Sequence, residues 1–255
     1  MCSLFHARKS TTKKGEWNLA AIYQRILLKL SGEALGGEEG VYDHSQITRV
    51  AKVIKRISDM GVKVGIVIGA GNIWRGRQGP TAQMDPVIAD QMGMLSTAVN
   101  CLCMQDALVR IGVGTQIFSA VDMPRFAQSY NTSQALERMD AGQVLLFACG
   151  TGNPFFSTDT AVVLRAIEMK ADAVLMAKNI DGVYDADPRK VPGAKLIKDI
   201  TYQQAQAMGL KVMDAAAFSL CSENAVPMVR LFGLFEPENI LKVLEGCDLG
   251  TFVHP

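Results

Sequence analysis

Arg25-Ile26-Leu27-Leu28-Lys29-Leu30-Ser31-Gly32 sets the pattern on which the reading of this chain turns: a short apolar run, a glycine-containing turn, then a longer amphipathic stretch. The pattern recurs. Apolar runs that predict strands cover residues 25–30, 62–68, 115–119, 144–148, 173–177 and 228–232, and several are apolar on both faces, as buried parallel strands are. Between them Ile47, Val50, Ala51, Ile54 and Ile57 recur at spacings of three and four before Met60-Gly61, a C-cap signal. Further helix-period stretches cover 85–111, 133–140, 158–170, 202–208, 214–222 and 238–244. Such alternation predicts an α/β protein, a three-layer αβα sandwich with a mostly parallel central sheet. Ligands of such sheets sit beyond the carboxyl ends of the strands, so chemistry is expected at the glycine turns there.

Composition narrows the classes. The chain has 255 residues, 26 Lys+Arg against 25 Asp+Glu, and 49% hydrophobic residues, a balance that excludes disorder, collagen and coiled coil. A net charge of +1 argues against nucleic-acid or membrane surfaces built on bulk basicity and leaves small ligands as the expected partners. No apolar run in the sequence approaches the ~20 residues of a membrane span. Six cysteines (Cys2, Cys101, Cys103, Cys149, Cys221, Cys247) without metal-ligand spacing point to a reducing compartment and no structural metal. Residues 1–20 carry Arg8, Lys9, Lys13 and Lys14 against Glu16 and read as a flexible N-terminal tail, with a transit peptide as the sharper alternative. Without a repeat or linker, residues 21–255 read as a single domain.

Three strand ends concentrate the candidates: Lys29-Leu30-Ser31-Gly32, then Gly69-Ala70-Gly71-Asn72 leading to Arg75-Gly76, then Gly150-Thr151-Gly152-Asn153-Pro154-Phe155-Phe156-Ser157-Thr158-Asp159. Glycine lets backbone approach a phosphate closely, and exposed N–H groups at a following helix start attract anions. Neither glycine fingerprint fits: there is no GxxxxGK[ST], and Trp74 breaks the dinucleotide pattern. Lys29 reads as a phosphate cation or a snorkelling edge lysine, and Arg75 as a phosphate fork or a solvated surface arginine. Thr158 is placed to cap a helix, and Asp159 either favours that helix's positive end or organises Mg²⁺ and cations; Asp214 poses the same choice. In Asp181-Gly182-Val183-Tyr184-Asp185-Ala186-Asp187-Pro188 the aromatic could stack on a base, or the stretch could be a polar-tipped β-hairpin.

Together these segments, with the Asp90-Gln91-Met92-Gly93-Met94 stretch, resemble the amino-acid kinase fold and within it the bacterial uridylate (UMP) kinases, from about Ile22 to His254. The resemblance implies transfer of the ATP γ-phosphoryl group to UMP with Mg²⁺, giving ADP and UDP in pyrimidine nucleotide biosynthesis, by a cytoplasmic homohexamer built as a trimer of dimers. It implies Lys29, Arg75, Asp159 and Asp214 as catalytic, with Asp159 at the metal. ATP would meet Lys29, Leu30, Ser31, Gly32, Gly71, Arg75, Lys178, Tyr184 and Asp187, with Lys178 lining the adenosine side. UMP would meet Ala70, Arg75, Asp90, Thr151, Gly152, Asn153, Pro154, Phe155, Phe156, Ser157 and Thr158. Ala70 stands where some relatives carry glycine, and Met176 where some carry a lysine, so a second catalytic lysine is not given by the pattern.

Regulation by GTP as activator and UTP as inhibitor is common among those relatives, but Gln105, Val109 and Gln116 stand here at positions that are basic in some of them. Met92, Leu95, Val99 and Leu102 form an apolar stripe on the same long helix; it reads first as core, with a dimer contact as the alternative. Two other functions fit the same architecture: a kinase of this fold acting on a carboxylate such as acetylglutamate, and a nucleotide- or oxyanion-binding module without catalysis. Thr151, Asn153 and Thr158 offer neutral hydrogen bonds suited to a pyrimidine, whereas a second carboxylate would need added cations.

Overall fold

A computed structural model describes residues 9–11, 17–19, 21–37, 40–75, 83–188, 190–210, 213–224 and 226–255. Within the segment expected to be a tail, β1 (Lys9–Thr11) and β2 (Trp17–Leu19) pair antiparallel; Gly76 and the rest of 1–20 lie outside the described residues. The body alternates as the sequence predicts: β3 (Arg25–Leu30), α1 (His44–Asp59), β4 (Lys63–Ile68), α2 (Pro86–Arg110), β5 (Thr115–Ser119), β6 (Gln128–Ser129), α3 (Thr132–Asp140), β7 (Val144–Ala148), α4 (Thr158–Glu168) and β8 (Ala173–Lys178). There follow β9 (Val183–Tyr184), β10 (Leu196–Ile197), β11 (Asp199–Thr201), α5 (Tyr202–Ala207), α6 (Ala215–Glu223), β12 (Val229–Gly233), α7 (Asn239–Leu244) and β13 (Thr251–His254).

Nine strands form the central sheet in the order β11-β13-β12-β8-β3-β4-β7-β5-β6, parallel except between β12 and β13. Strand alternation splits the core into two layers. Ile26, Leu28 and Leu30 of β3 face α1, α2 and α7, while Leu27 faces the layer of α3, α4, α5 and α6. Lys29 shares the face of Leu27, with Val67 and Met176 as its register partners on the neighbouring strands. Both neighbours are apolar and buried, so the lysine stem packs between them while its head runs toward the start of α4.

Two expectations about α2 are corrected. It is long and apolar enough to cross a membrane by length and composition, yet it packs against α1, β5 and β7. The stripe expected to be core is not: Leu95, Val99 and Leu102 are 56%, 48% and 39% exposed, while Ser96, Thr97 and Asn100 point inward. The polar residues win the buried face because each has a partner there. Asn100, fully buried, donates to the Gly69 carbonyl, and the Thr97 hydroxyl accepts from the Cys149 N–H. Cys101, Cys103, Cys149 and Cys221 are free.

Candidate active site

The first glycine turn leaves β3 at Ser31 and tightens into a 3₁₀ turn over Gly32–Ala34; the second leaves β4 at Gly69. Their backbones touch. A Cβ on Gly32 would lie 2.5 Å from the Gly69 carbonyl oxygen and 2.6 Å from the Gly71 nitrogen, closer than real side chains come, so glycine alone lets the loops meet. The third loop arrives at the same point, since a Cβ on Gly69 would stand 3.6 Å from Thr158 Oγ1. Behind the junction, Asn100 and Asn72 exchange amide hydrogen bonds at 2.8 and 3.1 Å, Asn72 also donates to the Val41 carbonyl, and the Tyr42 hydroxyl donates to Asn100.

Charge is gathered at this rim. Asp159, in the first turn of α4, holds the Lys29 ammonium 3.1 Å from Oδ1 and the Lys178 ammonium 2.8 Å from Oδ2. The three side chains are only 14%, 12% and 19% exposed. Burial pushes the Asp159 carboxyl up, but Lys29 and Lys178 together outweigh it and hold the group below the usual carboxylate range. The positive end of α4 adds to their effect. Lys178 is pushed below its ordinary value by burial first, with Lys29 adding to that against the pull of Asp159 and Asp214. Two ammoniums share one carboxylate. Ammoniums fixed at such a rim suit an incoming phosphoryl group.

The hydroxyl that caps α4 belongs to Ser157, not to Thr158 as the sequence suggests: Ser157 Oγ accepts from the Asp159 and Thr160 N–H groups. It also donates to Asp214, as does the Thr160 hydroxyl at 2.8 Å, and Asp214 in turn caps α6 by accepting from Ala217 N. Asp214 therefore ties the starts of α4 and α6 together, one step behind the cations. The choice among Ser157, Thr158 and Thr160 is invisible in the sequence because all three are capping residue types.

A cavity of about 330 Å³ adjoins the cluster at Ser157 and Thr158 and brings the second and third loops to one wall. Of the residues expected to hold the acceptor, Ala70, Asp90, Thr151, Asn153, Phe156, Ser157 and Thr158 line it; Gly152, Pro154, Phe155 and Arg75 do not. Asp90 Oδ2 accepts from the Phe155 N–H at 2.7 Å and so clamps the loop to α2. That loop is sharply bent, with positive φ at Cys149, Gly150, Gly152 and Phe155. Arg75 bonds the Gly71 carbonyl through Nε and pairs with Glu33, which puts its guanidinium at the Gly32–Gly71 junction. Trp74, Gly93, Met94 and Thr97 also line the cavity, and sequence reasoning missed them; with Asp90, the last three recur at helical spacing on one face of α2, a pattern the sequence does carry.

Tyr184 and Asp187 line a second cavity of about 500 Å³ beside the β9–β10 hairpin, where Tyr184 donates to Asp181 at 2.9 Å. The hairpin reading of this stretch is thus the geometry found, with a cavity against it. Lys178, expected on the adenosine side, directs its ammonium to Asp159.

Among the described residues a magnesium ion finds no ready donor set. Both Asp159 oxygens face ammoniums, those of Asp214 face hydroxyls and an N–H, and among the described residues no three His, Cys, Asp or Glu side chains converge. These residues do not fit a metal held by the protein, and the place at the metal implied for Asp159 is taken by its two lysines.

A parallel sheet whose glycine turns converge on two lysines and an aspartate defines a phosphoryl-transfer fold, and residues 24–229 match the amino acid kinase family, to which the chain belongs. Two solved structures share its architecture closely. The UMP kinase of Bacillus anthracis is 33% identical, with a TM-score of 0.87 over 91% of this chain and 96% of that one. The UMP kinase of Ureaplasma parvum is 36% identical, with a TM-score of 0.86 over 91% and 99%. The uridylate kinase of Archaeoglobus fulgidus, at 24% identity and a TM-score of 0.65 over 89% and 99%, shares the fold.

Proposed function

We propose that this kinase transfers the γ-phosphoryl group of ATP to UMP, giving ADP and UDP. One observation carries the reading: Ser157 and Thr158, which lead directly into Asp159 and its two lysines, line a cavity whose polar lining, apart from Asp90, is neutral. The second pKa of a nucleoside monophosphate is ~6, so its attacking oxygen is already anionic at neutral pH and no general base is required. Suppressing repulsion between two anions and aligning them is the remaining work, suited to fixed ammoniums, the Arg75 guanidinium and backbone N–H groups at the bent loops. Thr151 and Asn153 supply both donors and acceptors, as a pyrimidine edge requires. Asp90, already placed at the cavity wall, suits ribose hydroxyls. ATP would place its adenosine in the Tyr184–Asp187 cavity, and Mg²⁺ enters this reading as the counter-ion of the triphosphate.

The same reading takes the protein to be a homohexamer, with GTP and UTP as candidate effectors. The test is ADP release, followed by a coupled assay, across UMP, CMP and acetylglutamate. Turnover with UMP at least ~10-fold above CMP, on the scale of one misplaced hydrogen-bonding edge, and none with acetylglutamate is expected. Preference for acetylglutamate would assign the chain to the carboxylate kinases of the family, and ADP release with none of the three would leave a binding module.

A further inference from the structure

Gly93 stands inside α2, where nothing in the fold asks for a glycine. Its backbone is helical, without the positive φ that favours glycine. Packing does not ask for it either: among the described residues the one heavy atom within 4 Å of the place a Cβ would take is Trp74 Cδ1, at 3.6 Å, an ordinary van der Waals contact. Gly32 is the opposite case, since a Cβ there would meet backbone at 2.5 Å. A glycine in a helix interior is less stable than alanine, because it gives up more chain entropy on folding. Gly93 thus weakens α2 without easing any contact among the described residues. The face on which this happens lines the cavity, with Asp90 one turn before it and Thr97 one turn after.

We infer that Gly93 is a specificity-determining position for the acceptor: its missing side chain leaves the room in which a nucleoside monophosphate lies against the bare backbone of α2. The inference deepens the UMP reading above and rests on it. Trp74 fixes the shape of that room. Its indole Nε1 donates to the Ala89 carbonyl and its backbone N–H to the Ala70 carbonyl, both at 2.8 Å, so the residue is tied to α2 and to the second glycine loop at once. It is not free to swing away from a methyl group at position 93. Such a methyl would extend into the cavity beside the indole, in space shared with Met94 and with Thr151 and Asn153 of the third loop. A rigid acceptor made of a sugar and a flat base has no way round it, whereas a flexible carboxylate such as acetylglutamate could bend past. Gly93 therefore favours a nucleotide by the space it leaves, and Asp90, one turn away, by the hydrogen bonds it can accept.

The experiment compares the full chain with Gly93→Ala by thermal melting without ligand and by steady-state kinetics, varying UMP at saturating ATP and ATP at saturating UMP. The variant should melt at the wild-type temperature or ~1–4 °C above it, because alanine is the better helix former. At the same time kcat/KM for UMP should fall by ~5-fold or more, the effect of overfilling a fitted space, with KM for ATP within about threefold of wild type. Stability and acceptor use moving in opposite directions is the signature, since a merely structural glycine would lower both. A smaller loss toward UMP overturns the inference. So does a lowered melting temperature or a variant that does not fold, either of which would show that the chain itself needs the glycine. A rise in KM for ATP beyond threefold overturns it as well, by placing the effect outside the acceptor cavity. A wild type that releases no ADP with UMP overturns both the functional reading and this inference; normal turnover by wild type beside unchanged kcat/KM in Gly93→Ala overturns the inference alone.

Discussion

Asp159 carries two roles that pull the same way. Its carboxylate neutralises part of the charge on Lys29 and Lys178, and its folded-state pKa is held below the ordinary value by them, against burial. A carboxyl depressed on folding contributes stability that is present above its unfolded pKa, ~3.9, and is lost as pH falls through the folded value. Wild type should therefore lose denaturant resistance below about pH 4, and Asp159→Asn should lose less over that window. At pH 7 the same variant leaves two ammoniums facing each other with little solvent and should be destabilised by ~3 kcal/mol. Urea midpoints of both proteins at pH 7 and pH 3 decide it; equal acid sensitivity would mean that Asp159 is not the group titrating. At this scale the sequence showed which residues matter better than what they touch. Lys29 and Asp159 stand out because charges at strand and helix ends need a reason. The pairing of Lys178 with Asp159 spans 19 residues and depends on how α4 lies over β8, which no local pattern encodes.

The elements were legible wherever burial was two-sided. The six apolar runs became β3, β4, β5, β7, β8 and β12 with boundary shifts of one residue at most, because a parallel strand buried on both faces must be apolar throughout. The short strands β6, β10, β11 and β13 escaped notice, being two to four residues long and partly exposed, so that their pairing is decided by what lies beside them. Glycine loops carried the opposite problem: their presence was plain, their mutual contact was not. Gly32→Ala tests that contact. Its Cβ would meet backbone atoms of Gly69 and Gly71 at 2.5 and 2.6 Å, and backbone cannot swing aside as a side chain can. The variant should lose ~1–3 kcal/mol and, with the phosphate junction spread, more than ~10-fold in kcat. Gly61→Ala is the control. Gly61 has φ +82° at the end of α1, and no atom lies within 4 Å of the place a Cβ would take, so the variant should cost ~1 kcal/mol from backbone strain alone and leave kcat unchanged. Equal activity loss in the two variants would show that the first acts through stability only.

Across the whole molecule, α2 does reach the core through Cys101, Met104 and Leu108, but the reading of its Leu95–Val99–Leu102 stripe as core failed because Thr97 and Asn100, with partners in the loops, took the inward positions beside them. Ser96, Thr97 and Asn100 are inside, where Thr97 and Asn100 fasten the very loops that line the cavity of about 330 Å³. Leu95, Val99 and Leu102 are consequently turned out, at spacings of four and three, and join Val121, Met123 and Phe126, the last 65% exposed, around an apolar cavity of about 420 Å³. Scattered apolar side chains on a surface need no explanation, whereas a contiguous patch does. The proposed homo-oligomer supplies one: a second copy of the chain laid along α2 would remove these side chains from water, at ~1.5–3 kcal/mol for each one fully buried. It would also brace, from outside, the helix that holds the phosphate and acceptor loops from within. Wild type should then run in light scattering at a multiple of the chain mass. Leu95→Glu/Val99→Glu should run at a lower multiple with unchanged circular dichroism, since neither side chain supports the monomer core. A wild type that remains monomeric at micromolar concentration, or a double variant that assembles as before, would remove this face from the assembly.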